Sequence, residues 1–443
     1  MKKFNKESYL KRLVIKKKLR NTIKYVYVVG ISVLCLVLGL YLTYSKFFVK
    51  QEAEVIRTTV GDFSSGDVVI GAYLDGEYSS SIPGKYENYM LEKIVCDNGA
   101  YASWNYNDWT MTVGNLSKKS RCNIYFKKLV SKVPDIIATL DTSGKCPTVN
   151  SDGSVTVTGA EATNGYLCKA KDAYGDSYYF RGNVTNNYVK FAGFYWRIVR
   201  INGDGSVRVI YDGTSAHANG EASSDRHTGT SNFNNSRDSK AYVGYMYGTA
   251  GASTYAETHA NKNNSALKVY LDNWYKTNIL GTSNEQYLAD NIFCNDRSLI
   301  PNTSDSNSVY FRWHNFANNA NNNKMLLTCP QQNDAFTVND TTNGNGVLTY
   351  PIGFITTDEA VMAGGWNTDN NKYYLYTGQF YWTGSPYNAS YFTAVRSINE
   401  NGNASAYSYV CGVLRQNKPV INLNPGVLSE GNGTMDNPYR LPL

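Results

Sequence analysis

The residues with chemical potential are few and scattered. Ser265-Ala266-Leu267-Lys268 matches S-x-x-K, in which a lysine activates a serine nucleophile. No K-T-G partner follows, and the run also fits an amphipathic helix, so the match argues for structure rather than acyl transfer. The four histidines, His217, His227, His259 and His314, form no H-E-x-x-H and show no metal-ligand spacing. No EF-hand, Walker loop or dinucleotide fingerprint is present. No cofactor or metal is expected, and an enzyme is the third choice of function. Cys411 and a histidine would make a dyad, but Cys411 sits in an alternating run where a buried structural cysteine is the simpler reading.

Aromatic and amide side chains are abundant instead. The chain of 443 residues holds 37 Tyr, 7 Trp and about 50 Asn. Flat rings beside amide hydrogen-bonders suit a carbohydrate or protein ligand. Trp366, Tyr373, Tyr374 and Trp382 flank the Asn367–Asn371 loop and are the candidate ligand-binding residues. Core packing competes for each of these rings.

The elements that must present them begin at a charge asymmetry. Residues 1–50 carry 12 Lys/Arg against one acid, Glu7, while residues 51–443 carry 31 Lys/Arg against 35 Asp/Glu. The weakly acidic body argues against nucleic acid as a partner. Tyr25–Ser45 has no charge and is long enough to span a bilayer as a helix, with Tyr25, Tyr27, Tyr41 and Tyr44 at its ends. Basic residues before it and acidic residues after it predict a cytoplasmic N-terminus and extracellular C-terminal domains. Thr43-Tyr44-Ser45-Lys46 is a poor cleavage site, so an uncleaved signal-anchor is expected, with the lipid bilayer as a partner.

An exported chain with seven cysteines outside that segment invites disulfides. Local order suggests Cys96–Cys122, Cys146–Cys168 and Cys294–Cys329, leaving Cys411 unpaired. Dense Asp-Gly and Asn-Gly turns between short alternating runs predict strands. The organisation expected is a basic tail (1–24), the anchor (25–45), a linker (46–66), a small β module (67–127), a connector (128–145), a larger domain (146–425) and a C-terminal tail (426–443). Phe194–Ile201 and Val207–Tyr211 flank Asn202-Gly203-Asp204-Gly205 as a hairpin. Leu267, Tyr270, Leu271 and Trp274 make Ser265–Tyr275 the best helix outside the anchor. Residues 302–325 and 333–346 read as surface loops. Tyr373–Tyr376, Phe380–Thr383, Tyr391–Ser397, Tyr407–Val413 and Pro419–Leu423 read as closing strands.

The runs Tyr178–Gly182, Asn187–Arg200, Tyr242–Gly248 and Tyr381–Pro386, with Cys411–Arg415 and Pro419–Leu423, resemble uncharacterised surface proteins of low-GC Gram-positive bacteria (Bacillota and relatives). Cys96-Asp97-Asn98-Gly99, Trp104, Trp109 and Cys122 are similar to a small β module of such proteins. The C-terminal pattern also resembles C-type-lectin-like folds of the formylglycine-generating and Fibrobacter paralogous-domain type. Gln416, Asn417 and Lys418 interrupt its usual Arg-Pro, and the Glu-Pro-Asn calcium motif and the paired catalytic cysteines are missing. Neither calcium-dependent sugar binding nor oxidase activity is therefore implied.

The fold class expected is mainly β with some α: one transmembrane helix, a small disulfide-stapled β module and a larger α+β C-type-lectin-like domain. The function expected is a membrane-anchored extracellular binding or adhesion protein for a glycan or a host or cell-surface protein. The alternative is a non-catalytic envelope-associated assembly protein, in which Cys411 would favour a disulfide dimer.

Overall fold

The computed structural model describes residues 56–58, 69–84, 87–106, 109–115, 120–300, 309–315, 323–389 and 392–442. Among these, no helix is long and apolar enough to cross a membrane, and Tyr25–Ser45 lies outside them. The fold class is corrected accordingly: the described chain is mainly β with few helices, and a spanning helix is not part of it.

The first unit contains strands β1 (Ile56–Thr58), β2 (Val69–Leu74), β3 (Glu77–Ser79), β4 (Tyr89–Cys96), β5 (Tyr101–Asn105), β6 (Thr110–Gly114) and β7 (Arg121–Lys128). They form one sheet of order β1-β6-β5 and another of order β3-β2-β7-β4. Alternation sends Met111, Val113, Ile124 and Phe126 inward, each fully buried. Cys96 and Cys122 face each other across the β4–β7 register and are bonded. Such a bridge suits a core this small.

A short helix, α1 (Val133–Ile137), leads into the larger unit. Its central sheet has order β8-β9-β11-β12-β19-β14, with β10 beside β11. These are β8 (Gly165–Asp172), β9 (Gly175–Gly182), β10 (Tyr188–Phe191), β11 (Phe194–Ile201), β12 (Val207–Gly213), β14 (Ile352–Gly353) and β19 (Val420–Leu423). The β11–β12 turn forms at the predicted residues, with Asn202 N–H donating to Ser206 O at 2.8 Å and Gly205 at φ +84°. Every residue of β12 is buried, because both sheet faces are covered.

Helix α2 (Ala266–Asn278) covers one face. Its Trp274 ring lies 5.9 Å from both Trp196 and Tyr211, edge to face. Ser265 caps it, accepting from Lys268 N–H at 3.1 Å, while Lys268 Nζ binds Asp272 at 2.7 Å. The S-x-x-K residues are thus used by the helix itself. The short α3 (Thr357–Met362) brings Glu359 to Arg200 (3.1 Å) and Arg208 (2.5 Å) of the central sheet. Arg181 donates to the Val361 and Met362 carbonyls at the end of α3.

A second sheet has order β13-β18-β15-β16-β17: β13 (Thr230–Ser231), β15 (Tyr381–Asn388), β16 (Ala394–Ile398), β17 (Ala406–Tyr409) and β18 (Arg415–Gln416). Gly384 is required in β15, since a Cβ there would lie 1.6 Å from the Phe354 ring. Two more disulfides, Cys146–Cys168 and Cys294–Cys329, tie irregular segments to the core, and Cys411 is free. Tyr373–Tyr376 is a turn, not a strand, closed by Tyr376 N–H to Tyr373 O at 3.1 Å. The residues after 425 are more than a tail: Val427 and Leu428 are fully buried, and Tyr439 exchanges backbone hydrogen bonds with Tyr188 and Lys190 of β10.

Two buried histidines set an acid limit. Burial, with Lys418 and Arg226 nearby, pushes His227 down to about 2, and burial with Arg297 nearby pushes His259 down to about 3. Both are neutral in the fold, whereas the unfolded chain takes up their protons near pH 6.5. Their contribution to stability is therefore full above pH 6.5 and is lost as pH drops toward 3, by about 1.4 kcal/mol per pH unit for each histidine. Urea midpoints should fall between pH 7.5 and 5, and His227→Gln should reduce that fall by about half.

Lys418 gives an alkaline counterpart. It shares one carboxylate, Asp212, with Arg226 (2.8 Å) and Arg197 (3.9 Å). Burial and these guanidiniums outweigh Asp212 and push its ammonium down to about 7. Unfolded, it keeps its proton to about pH 10.4. Stability should climb from pH 7 toward 10, and Lys418→Met should flatten the climb without lowering the midpoint at pH 6.

Candidate functional site

The four aromatic residues singled out from sequence face inward. Tyr373 and Tyr374 are fully buried, Trp382 is 3% exposed, and Trp366 is half-buried against the main core. Trp382 Nε1 donates to Ser231 O at 2.9 Å, tying β15 to β13, and Tyr374 stands 5.4 Å from the buried Arg197 guanidinium. In the Asn-rich loop between them Asn370 alone is buried: its Nδ2 donates to the Glu161 and Gly364 carbonyls, both at 2.9 Å. These residues hold the two sheets together, and no outward contact surface forms from them.

Such a surface lies at the free edge of the second sheet, on β17. Ser408 points inward, where it meets Ser397 Oγ at 3.2 Å and accepts from Arg415 Nε at 2.8 Å. The strand period of two then turns Tyr407 and Tyr409 outward. The register places Tyr407 opposite Arg396 and Tyr409 opposite Ala394. Tyr387 of β15 stacks on Tyr407 with centroids 4.4 Å apart, and Phe392 lies 5.2 Å from Tyr409. Tyr407 is 48% and Phe392 46% exposed. Past the end of β17, Leu414 is exposed and the half-buried Cys411 has its Sγ 3.3 Å from Asn235 O.

Guanidinium groups accompany these rings. Arg396 is buried 4.5 Å from the Tyr387 centroid and donates to the carbonyls of Trp313 and Ser405. Burial pushes it down to about 10, so it stays charged at neutral pH. Arg237, exposed, lies 5.1 Å from Phe392 and 5.6 Å from Tyr409. Its carbonyl accepts from Thr393 Oγ1 at 2.9 Å, which fixes its backbone beside β16. Rings supply flat apolar faces, and guanidiniums supply donors matched to carboxylate or phosphate. Sequence reading passed over Tyr387, Phe392, Tyr407, Tyr409 and Arg237. The Tyr-Ser-Tyr alternation of β17, next to the last strands of the sheet, was the available signal.

One polar cluster has the outline of nucleophile chemistry. Ser215 Oγ lies 3.4 Å from His217 Nε2, and His217 Nδ1 lies 2.7 Å from Glu221. Asp225 Oδ2, however, approaches the same Nε2 to 2.8 Å and takes the nitrogen a serine would need as base. Asp225 also accepts from the Thr214 and Ser215 backbones, and although partial burial opposes it, His217, the Thr214 hydroxyl and these backbone donors hold its carboxyl well below the usual range. A Cβ on Gly213 would reach 2.7 Å from Asp225, so the loop closes only with glycine there. Among the described residues, no three of His, Cys, Asp and Glu are placed to hold a metal ion. No protein-family profile, no curated protein and no solved structure matches this chain.

Proposed function

We propose that the chain is an extracytoplasmic, non-catalytic binding protein that grips an acidic glycan along the Tyr387–Tyr407–Tyr409–Phe392 strip. The observation that carries the proposal is the aromatic ladder on the edge of the second sheet, with the exposed Arg237 beside it and the buried Arg396 holding Tyr387 from behind. Sugar rings stack on flat aromatic faces, and a guanidinium fork pairs with a uronate or phosphate. Three disulfides support an oxidising compartment. A second reading, self-assembly, draws on the same edge: among the described residues β17 has a strand partner on one side only, and Cys411 lies just beyond it.

The test is a glycan and host-matrix array probed with the oxidised protein, with and without calcium. Binding should drop at least tenfold in Tyr407→Ala and in Phe392→Ala, with melting temperature unchanged, as a loss of about 1.4 kcal/mol implies. Arg237→Ala should leave residual binding less sensitive to salt. Trp382→Ala should behave differently and lower stability by about 3–5 kcal/mol, since its ring is core. Binding indifferent to the strip variants would refute the site. A silent array with a dimer lost on Tyr407→Ala would favour assembly.

A further inference from the structure

We infer that a second, independent site for an organic cation, an ammonium group on a small apolar body, lies in a cleft between the C-terminal part of α2 and one end of the central sheet. The cleft measures about 550 Å³ and is lined by Tyr275, Tyr350, Leu288, Val338, Glu285 and Asp290 among others. Its volume falls within the range of small-molecule sites. It shares no residue with the aromatic strip, and its chemistry is the opposite one.

The apolar part is an aromatic wall. Tyr275 and Tyr350 stack with centroids 4.9 Å apart and planes 25° apart. Tyr275 is fully enclosed, and its hydroxyl donates to Glu285 Oε1 at 3.4 Å, so the pair is held from behind. Tyr350 is partly open to the cleft. An ammonium group within about 6 Å of an aromatic centroid is attracted by the ring quadrupole. Lys276 Nζ already stands 5.7 Å from the Tyr350 centroid, so a cation reaches this ring within the fold itself.

The polar part is negative and fixed. Glu285 Oε2 accepts from Gly281 N–H at 2.8 Å. The Asp290 carboxylate accepts from the backbone N–H groups of Val338, Asn339 and Asp340 at 2.8, 2.6 and 3.0 Å. Among the described residues, neither carboxylate forms an ion pair with Lys or Arg. Their hydrogen bonds therefore fix position while leaving the charge uncompensated. Asp340 and Asp204 add to the same field: with Asp290, both hold the Tyr174 hydroxyl protonated, although burial is the larger cause. An anion is repelled here. A bare metal ion meets oxygens already taken by backbone donors, and would leave Leu288, Val338 and Tyr350 unused. An organic cation satisfies both walls at once.

The test uses tetramethylammonium chloride as the probe, titrated into the oxidised full-length protein and followed by saturation-transfer NMR. tert-Butanol, similar in size and uncharged, is the control. Saturable tetramethylammonium binding is expected, at least about fivefold weaker in Tyr350→Leu and in Glu285→Gln. Val338→Arg, which brings a cation to the cleft, should abolish it, while Tyr407→Ala on the distant strip should leave it unchanged. Each variant is compared by thermal melt, and if Glu285→Gln lowers the melt, Tyr350→Leu and Val338→Arg decide alone. Equal binding of tert-butanol, or tetramethylammonium binding indifferent to Tyr350→Leu and Val338→Arg, overturns the site. Neither result bears on the strip, so the two proposals fail separately.

Discussion

Glu359 is the group on which the larger unit turns. Burial alone would raise its carboxyl pKa, but Arg208 and Arg200 outweigh that and keep it ionised. One oxygen meets both guanidiniums; the other accepts from the Thr356 backbone and hydroxyl and closes a capping box at the start of α3. Arg200 also holds Asp172 at 2.6 Å, and Arg208 donates to the Ile292 and Phe354 carbonyls. A single buried carboxylate thus joins two central strands, a helix and two loops. Such a network stands only while complete, because losing one partner strands a charge in a dry interior.

The same device recurs where the chain is irregular. Arg297 pairs with Asp334, both side chains fully buried, and donates to Met246 O and Asn261 Oδ1. Arg312 bridges Asp296 and Asp358. The segments between β12 and β14 contain little regular sheet, so their carbonyls find no ladder partners. Fork-shaped guanidinium donors fill that need better than lysine does, and each brings a carboxylate with it. The Cys294–Cys329 bridge closes the same region covalently.

This explains which features were legible in the sequence. Local chemistry reads well: the Asn202–Gly205 turn, the Ser265 helix start, the alternation of Met111 and Val113, and cysteine pairing between near neighbours. What fails is any judgement of inside against outside that depends on distant partners. Asn-rich loops look like surface, yet Asn370 is buried because its amide satisfies two carbonyls from other segments. Asp334 to Thr337 sit in a polar stretch and are fully buried, because Arg297 waits 37 residues upstream. Trp366, Tyr373, Tyr374 and Trp382 were drawn inward by the same closure. The strip on β17 was only half legible for the converse reason: the Tyr-Ser-Tyr alternation marks two rings on one face, but an edge strand is defined by the neighbour it lacks, which no local pattern records.

The burial of charge also shapes what remains outside. Arg181, Arg197, Arg200, Arg208, Arg226, Arg297 and Arg396 all lie in the interior, with Lys268 and Lys418, against seven buried carboxylates. Withdrawing more base than acid leaves the surface of an already acidic body more acidic still. Against that background Arg237 supplies a cation among tyrosines, while the carboxylates of the α2 cleft add to the acidic balance. An anionic ligand approaching the strip meets long-range repulsion, screened beyond roughly 8–10 Å in physiological salt. Only within contact distance would Arg237 and the ring faces dominate. On the reading proposed, the strip would recognise by contact a ligand already at the surface, and the cleft would gather a cation from solution electrostatically.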